Sequence, residues 1–318
     1  MLARAALSVL LDAPGTVLSD GALATELEAR GCTLDDPLWS AKILVEQPGL
    51  ITDVHRDYYA AGARIATTAS YQATPQGFAS RGMGEAEALE VVALSVRLAD
   101  DARRAHLASH PDAGPLLVAG SVGPFGAYLA DGSEYRGDYT LTEAEFRDFH
   151  RPRVEALVRA GVDVLACETL PSAAEAQALA GLTREAGVEC WFTFTLRDGG
   201  HISDGTPLAD VAELLDPHPH VAAVGVNCVP LGLVTPALTA LRRGTGKPLV
   251  AYPNSGETYD PHTKSWAAVD GNAVDGNAGP ADLAAGTPEW AALGARIIGG
   301  CCRTKPADIA AVAGHVAR

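Results

Sequence analysis

Eight short apolar segments recur along the chain, and a helix-like stretch follows each of them. They are 16–22, 64–71, 116–124, 162–169, 189–196, 221–228, 248–256 and 295–302. Most are apolar at almost every position, which is typical of parallel strands buried on both faces. Eight strand–helix units in 318 residues predict an α/β fold, a (β/α)8 TIM-type barrel forming a single domain over 1–318. A doubly wound sheet is the alternative, but no Gly-x-Gly-x-x-Gly turn follows any strand.

Several predicted helices carry recognisable N-terminal signals. Capping boxes are predicted at two places, Thr142 with Glu145 and Ser172 with Glu175. Thr287 followed by Pro288 predicts an N-cap with proline at the first helical position. These starts fall between predicted strands, as the alternating pattern requires.

Charge and apolar runs exclude several classes of protein. The net charge is −15, whereas a nucleic-acid-binding surface needs a basic face. The apolar run near the N-terminus is short and is interrupted by Asp12, so we predict a short first helix and no secretion signal. No segment approaches the roughly 18 apolar residues of a membrane span. We therefore expect a cytoplasmic protein, in a reducing compartment where structural disulfides are rare.

One segment departs from the strand–helix rhythm. Residues 268–280 contain the sequence VDGNA twice and are rich in Gly, Asn and Asp. This composition predicts a flexible surface loop between strands seven and eight. A lid over the mouth of the barrel is the alternative.

Three of the six cysteines follow the ends of predicted strands. Cys228 ends strand six, and Cys301 and Cys302 end strand eight. The carboxyl ends of all barrel strands converge on the face where active sites are built, so these thiols can meet in space. The other three are predicted to be ordinary buried or half-buried thiols, Cys32, Cys167 and Cys190.

The adjacent pair Cys301 and Cys302 limits the chemistry further. Neighbouring residues on a regular strand point to opposite faces, so both can face one centre only if the backbone turns. Gly299 and Gly300 are predicted to supply that freedom. A disulfide between neighbours would be strained. Three thiolates with one open position suit catalytic zinc, while a redox site and a purely structural role remain open.

Motifs along the whole chain resemble those of the zinc-dependent homocysteine S-methyltransferases. The general motifs are SDGALATELEARG (19–31), VGVNC (224–228) and GGCCRT (299–304). The motifs of the S-methylmethionine-using branch are TTASYQAT (67–74), AGSVGPFGAYLADGSEYRGDY (119–139), HRPRVEAL (150–157), LACETLPS (165–172), FTLRDGGHISDGTPL (194–208) and AYPNSGETYD (251–260). The segment 268–280 shows the least resemblance.

The resemblance implies a homocysteine-binding (β/α)8 barrel over 1–318 and a methyltransferase activity of methionine biosynthesis. Homocysteine and S-methylmethionine would give two methionines, with S-adenosylmethionine as a second, weaker donor. It implies one zinc ion per chain, held by Cys228, Cys301 and Cys302, which are thereby also the catalytic residues. The partners would be these small molecules, with no nucleic acid and no membrane. One alternative is a sibling enzyme that uses betaine, a methylated folate or methylselenocysteine precursors. The other is a non-catalytic redox or metal-buffering protein.

Both substrates carry an amino-acid head, which predicts partners for ammonium and carboxylate groups. Asp20 and Glu168, at the ends of strands one and four, are the predicted ammonium ligands, and the resemblance implies both near homocysteine. The alternatives are a helix or turn cap for Asp20 and an ion pair with arginine for Glu168. The amide of Gly21, with that of Ala22, and the hydroxyl of Thr68 are predicted carboxylate partners.

Four further residues are candidates for substrate contact. Asn227 precedes Cys228 and is predicted either to orient the metal ligands or to face substrate. Tyr71, Phe125 and Tyr128 end strands or open loops on the active face, and aromatic faces attract cations such as a sulfonium. Packing at the rim of the barrel is the alternative for these three.

Overall fold

The computed structural model describes residues 6–34, 36, 38–255, 257–260, 265–268 and 280–316. Within these residues eight parallel strands form one sheet: β1 Val17–Leu18, β2 Ile65–Thr67, β3 Leu117–Val122, β4 Val164–Leu170, β5 Cys190–Phe194, β6 Val221–Asn227, β7 Leu249–Tyr252 and β8 Ala295–Ile298. From β2 onward each strand pairs with the next along the chain, and β8 pairs with β1. A parallel bridge between Ser19 and Ile65 joins β1 to β2. The sheet thus closes, and the predicted (β/α)8 barrel is confirmed.

Helices surround the barrel and fill the connections between its strands. They are α1 Leu7–Asp12, α2 Leu23–Ala29, α3 Ile43–Glu46, α4 Pro48–Ala60, α5 Pro75–Ala79, α6 Glu85–Ser109, α7 Phe125–Leu129, α8 Ser133–Arg136, α9 Glu143–Ala160, α10 Ala173–Ala186, α11 Leu208–Leu215, α12 Leu231–Leu241, α13 Pro280–Ala292 and α14 Pro306–Val316, with a 3₁₀ turn at Trp39–Lys42. None of the helices in the described ranges is long and apolar enough to cross a membrane.

The first helix closes the N-terminal end of the barrel. Leu7, Leu10 and Leu11 of α1 are buried and belong to one apolar cluster with inward-facing strand residues. Those strand residues include Val17, Ile65, Leu117, Val164, Trp191, Ala223, Val250 and Ile297. The amide of Ser8 also donates to the Glu189 carboxylate, just before β5. The predicted short first helix is confirmed, and the opposite, C-terminal end of the barrel is left for the site.

One predicted capping box forms completely and the other only by half. The Thr142 hydroxyl accepts from the Glu145 amide at 3.3 Å, and the Glu145 carboxylate accepts from the Thr142 amide at 2.7 Å. Ser172 accepts from the Glu175 amide at 3.5 Å. The Glu175 carboxylate instead lies 2.7 Å from His150 Nε2, and both side chains are fully buried. A buried polar partner on α9 therefore takes the carboxylate that the sequence pattern assigned to the cap.

The predicted helix start at Thr287 and Pro288 is wrong. Pro288 lies inside α13, which begins at Pro280, and the Thr287 hydroxyl donates to the Leu283 carbonyl at 3.1 Å. Leu283 and Ala284, in the turn before the proline, are buried against the core. This burial holds the preceding turn helical despite the proline, so the local pattern was overridden by packing.

Most predicted strands extend beyond the paired residues at their carboxyl ends. The predicted strand 295–302 pairs only to Ile298, and the predicted strand 248–256 only to Tyr252. The remaining residues leave the sheet as loops, and those after β8 line the cavity. Two unpredicted antiparallel hairpins follow, Leu196–Asp198 with His201–Ile202 and Glu257–Asp260 with Ser265–Ala268. The predicted flexible loop, 268–280, lies outside the described residues except at its two end positions.

Candidate metal and substrate site

A cavity of roughly 330 Å³ opens at the carboxyl ends of the strands. Nine of the predicted site residues line it: Asp20, Gly21, Thr68, Tyr71, Glu168, Asn227, Cys228, Cys301 and Cys302. Phe125 and Tyr128 are not among the residues that line it. The cavity is the space in which the thiols, carboxylates and aromatic rings face one another.

Three thiols converge in this cavity. The sulfur atoms of Cys228, Cys301 and Cys302 all lie within 4.8 Å of one another. The Cys228 and Cys302 sulfurs are 3.7 Å apart, and all six cysteines of the chain are free thiols. Cys167 and Cys190 are fully buried in the strands, as predicted, and Cys32 is buried beyond α2. The arrangement is a set of three thiol ligands suited to a thiophilic metal ion.

Backbone hydrogen bonds from β7 and its loop hold all three cysteines. The Cys228 amide donates to the Tyr252 carbonyl at 3.1 Å, and Cys228 adopts a left-handed φ of 54°. The Cys301 amide donates to the Pro253 carbonyl at 2.8 Å. The Cys302 carbonyl accepts from the Ser255 amide at 3.1 Å. The loop after β7 therefore connects the end of β6 to the end of β8.

The two glycines before the cysteine pair act differently from the prediction. Neither has a left-handed φ, and the left-handed residue of this turn is Arg303 at 67°. A Cβ at Gly299 would lie 1.9 Å from Ser19 Oγ, and one at Gly300 would lie 2.2 Å from Thr304 Oγ1. The glycines are required because the chain passes too close to its neighbours for any side chain. The prediction that they supply conformational freedom is wrong.

The pKa values of the three thiols shift in opposite directions. Hydrogen bonds from Cys301 and Cys302 lower the pKa of the Cys228 thiol well below its usual value. The pKa values of Cys301 and Cys302 are raised, chiefly by their hydrogen bonds to Cys228, and also by burial and by the negative charge of Cys228. A bound cation would favour all three thiolates, because metal binding to cysteine releases protons.

Two buried carboxylates face the same cavity. The Asp20 carboxylate accepts from the Thr67 amide at 2.7 Å and from its hydroxyl at 2.9 Å. The Glu168 carboxylate accepts from the Ser121 hydroxyl and, at 3.1 Å, from the Tyr252 hydroxyl. Burial raises the pKa of each to about 7.

No lysine or arginine among the described residues lies within ion-pair distance of either carboxylate. The alternative of an ion pair between Glu168 and arginine is therefore not supported by the geometry. Asp20 also makes no helix cap, since its carboxylate binds Thr67 on the neighbouring strand. Buried carboxylates without a basic partner suit a cationic ligand, which would supply the missing charge.

The groups predicted to bind a substrate carboxylate have different surroundings in the structure. The Thr68 hydroxyl lies 2.7 Å from Ser70 Oγ and accepts from the Ser121 amide at 3.0 Å, so it links β2 to β3. The Ala22 amide lies 3.3 Å from both the carbonyl and the hydroxyl of Thr304. Gly21 lines the cavity and leaves no room for a side chain, because a Cβ there would lie 2.7 Å from Thr304 Oγ1.

Asn227 connects the end of β4 to the thiols. Its carbonyl oxygen accepts from the Thr169 amide at 2.7 Å, and its amide nitrogen donates to the Thr169 hydroxyl at 2.8 Å. The same nitrogen lies 3.9 Å from the Cys301 sulfur. Of the two alternatives, these contacts favour orientation of the thiols, since both ends of the amide are engaged by the protein.

The three aromatic candidates separate into two groups. Tyr71 lines the cavity, with its ring 6.2 Å from that of Trp39 in an edge-on arrangement. Phe125 and Tyr128 pack on each other at 5.6 Å and on Phe149 at 5.0 and 5.5 Å. Packing at the rim, the alternative for these residues, describes Phe125 and Tyr128.

Comparisons with known proteins agree with this geometry. A family model described as Homocysteine S-methyltransferase matches residues 17–316. The chain belongs to this family. It is 59% identical over 307 residues to the Homocysteine S-methyltransferase of Escherichia coli (strain K12), covering 96% of this chain and 97% of that protein. It is 50% identical over 308 residues to Homocysteine S-methyltransferase YbgG of Bacillus subtilis (strain 168), covering 96% and 95%.

A solved structure shares the fold closely. The homocysteine methyltransferase MmuM from Escherichia coli, in its metallated form, superposes with a TM-score of 0.87. The two are 56% identical in sequence, and the match covers 97% of this chain and 99% of that one. The resemblance to the homocysteine S-methyltransferase family stated from the motifs is confirmed, and so is the assignment to the methyltransferases.

In this member of the homocysteine S-methyltransferase family, the sequence did not predict several residues that line the site, including Glu134 and Tyr135. Tyr135 places its hydroxyl 3.2 Å from the Cys228 sulfur, and the preceding Glu134 also lines the cavity. Both lie on α8, inside the motif 119–139 that carried the family resemblance. That motif indicated a branch of the family, but nothing in its spacing showed which side chains turn inward.

Proposed function

We propose that this chain transfers a methyl group from S-methylmethionine to the sulfur of homocysteine, giving two molecules of methionine. The observation that carries the proposal is the convergence of three cysteine sulfurs within 4.8 Å, beside two buried carboxylates that form no ion pair with the described residues. The thiols supply a metal site for the acceptor sulfur, and the carboxylates supply charge for the amino-acid heads. S-adenosylmethionine, also a sulfonium, is proposed as a second and weaker donor.

Zinc is the metal that we propose for the three thiols. Zinc binds thiolates tetrahedrally at about 2.3 Å, so two sulfur ligands lie about 3.8 Å apart. The 3.7 Å between Cys228 and Cys302 is close to this value. Three protein ligands would leave a fourth position for the homocysteine sulfur, and bound zinc would lower the pKa of that thiol so that it reacts as a thiolate.

The residues around the cavity would orient the two substrates. We assign the ammonium groups to Asp20 and Glu168, whose carboxylates are buried and face the cavity. The side chain of Asn227 contacts both the Cys301 sulfur and Thr169 at the end of β4, and would fix their relative positions. Rigid placement matters here because aligned reactants reach effective molarities of about 10⁵ M or more.

The transfer itself is a single displacement. The homocysteine sulfur forms a bond to the methyl carbon while the bond from that carbon to the donor sulfonium breaks. The bonding electron pair stays with the donor sulfur, which leaves as a neutral thioether, and the thiol proton of homocysteine has already gone to solvent. No general acid is needed, because the leaving group carries no negative charge. We place the enzyme in the cytoplasm, where its three thiols stay reduced.

The test is methionine formation from homocysteine with S-methylmethionine as the only methyl donor. We expect turnover that a zinc chelator abolishes and added Zn²⁺ restores. Cys301→Ser should lose both the metal and the activity, whereas Cys32→Ser, at a thiol outside the cavity, should keep both. Zinc-loaded protein that makes no methionine from S-methylmethionine, but does so from betaine or a methylated folate, would refute the proposed donor.

A further inference from the structure

A further carboxylate residue lines the cavity, in addition to the buried Asp20 and Glu168. Glu134 lies on α8, in the connection after β3. Its Oε2 atom is buried and has no hydrogen-bond partner among the described residues. Buried polar atoms in folded proteins are nearly always satisfied, so an orphan in a cavity indicates a ligand that completes it.

The backbone around Glu134 is held by contacts on two sides. The Thr195 hydroxyl donates to the Glu134 carbonyl at 2.8 Å. A Cβ at Gly126 would lie 2.7 Å from the Glu134 amide nitrogen, so α7 and α8 are in close contact there. At Gly137, φ is 64°, and an added Cβ would lie 2.9 Å from the Pro171 carbonyl. Glu134 therefore lies in a packed segment. Its carboxylate could move out of the cavity into solvent only if these contacts broke.

The positive charge of Arg136 acts on this carboxylate, but Arg136 forms its ion pairs with Asp131 and Asp138. Arg136, two positions further on, has its Nε at 2.7 Å from Asp138 and donates from Nη1 to the Asp131 carbonyl at 2.8 Å. No ion pair of Glu134 exists within the described part of the chain. Burial raises the pKa of Glu134 to about 7, and the negative charge of Cys228 adds to the rise. A bound cation would lower the pKa of Glu134 again, because a nearby positive charge favours the ionised carboxylate.

The position of Glu134 relative to the thiols indicates which cation it meets. Its neighbour Tyr135 lies 3.2 Å from the Cys228 sulfur, so Glu134 belongs to the wall next to the thiols. A reacting sulfonium must approach the attacking sulfur to about 3–3.5 Å. The other two buried carboxylates, Asp20 after β1 and Glu168 on β4, are already assigned to the ammonium groups.

We propose that Glu134 binds the positively charged sulfonium of the methyl donor and so selects sulfonium compounds over neutral thioethers. This inference rests on the proposed function. The sulfonium loses its charge as the methyl group leaves, so the attraction is stronger in the bound donor than in the transition state. It also disappears in the product, which favours release of the thioether. Glu134 is therefore a residue of donor affinity and specificity, and not one that accelerates the displacement.

The experiment compares Glu134→Gln with the wild-type enzyme at saturating homocysteine. Because a charged contact is replaced by a neutral one of the same shape, the KM for S-methylmethionine should rise about tenfold or more. The kcat should stay within about twofold or increase, as expected for loss of ground-state binding. The inhibition constant of methionine against S-methylmethionine should not change, because methionine lacks the sulfonium charge.

Asp138→Asn is the matched control, since it removes one negative charge from an exposed side chain of the same segment. Its KM for S-methylmethionine should equal that of the wild type. An unchanged KM in Glu134→Gln would overturn the inference. A parallel rise in the methionine inhibition constant would also overturn it, by assigning Glu134 to the ammonium group. Failure of the wild-type enzyme to use any sulfonium would instead refute the proposed function. An unchanged KM for homocysteine in Glu134→Gln would show that the rest of the site is intact in the variant.

Discussion

The sulfur atoms of Cys228 and Cys302 lie 3.7 Å apart although the residues are 74 positions apart in the sequence. β7 and the loop after it hold both residues by backbone hydrogen bonds. The Tyr252 carbonyl accepts from the Cys228 amide, and the Ser255 amide donates to the Cys302 carbonyl. Geometry of this kind is imposed by the barrel, because β6 and β8 are separated by one strand and end on the same face.

Removal of one thiol should therefore remove the metal. Cys302→Ser should lower zinc content from one ion per chain to near zero, and should reduce kcat/KM by more than the roughly 100-fold that loss of a supporting contact costs. Zinc content is measured by elemental analysis after gel filtration. Cys32→Ser is the control and should keep full zinc content. Full activity in zinc-free Cys302→Ser would contradict the proposed role of the metal.

Glu168 should make the ligand-free protein less stable as the pH rises. Burial raises its pKa from 4.5 to about 7, so the native state holds a proton that the unfolded chain has lost. The contribution to stability is complete below pH 4.5 and disappears as the pH approaches 7. Glu168→Gln lacks this titration.

The difference in the free energy of unfolding, Glu168→Gln minus wild type, should thus grow between pH 5 and pH 7 and then level off. Denaturation by urea over this pH series measures it. The same variant should bind homocysteine more weakly at pH 8, because the ammonium group loses its carboxylate partner. Unfolding curves of the two proteins that stay parallel at all pH values would show that Glu168 does not titrate in this range.

Asn227 should contribute to stability and to the position of Cys301 together. Asn227→Ala leaves the buried Thr169 amide without its acceptor, which costs about 1–3 kcal/mol. A double-mutant cycle with Thr169→Val, read by urea denaturation, isolates the hydrogen bond between the two side chains. Zinc affinity should fall in Asn227→Ala but not in Thr169→Val, since only Asn227 reaches the Cys301 sulfur. Equal zinc affinity in both variants would mean that Asn227 acts on the fold alone.

Gly299 should tolerate no side chain. Gly299→Ala places a Cβ 1.9 Å from Ser19 Oγ, and should destabilise the protein by about 1–3 kcal/mol, the usual cost of overpacking. Addition of Ser19→Ala should restore part of the loss, because it removes the clashing oxygen. Gly314→Ala is the control: it lies in α14 with open space around it, and should stabilise slightly. Thermal unfolding distinguishes these cases, and a Gly299→Ala protein as stable as wild type would contradict the packing argument.

The sequence predicted the repeating architecture well because each strand and helix leaves a local signature. Apolar runs predicted all eight barrel strands, and the capping box at Thr142 and Glu145 forms as predicted. The errors lie where packing overrides local preference. Pro288 sits inside a helix whose preceding turn is buried, and the Glu175 carboxylate binds His150 in place of its cap.

By itself, the sequence determined the barrel, the family and the cysteines that follow β6 and β8, because strand ends in a closed barrel must share one face. Only the tertiary structure decided which side chains of the motif 119–139 enter the cavity. Phe125 and Tyr128 turn into an aromatic cluster, while Glu134 and Tyr135 turn inward beside Cys228. The physical reason is that α8 is placed by contacts with Gly126 and Thr195, which are tertiary and leave no periodic pattern in the chain.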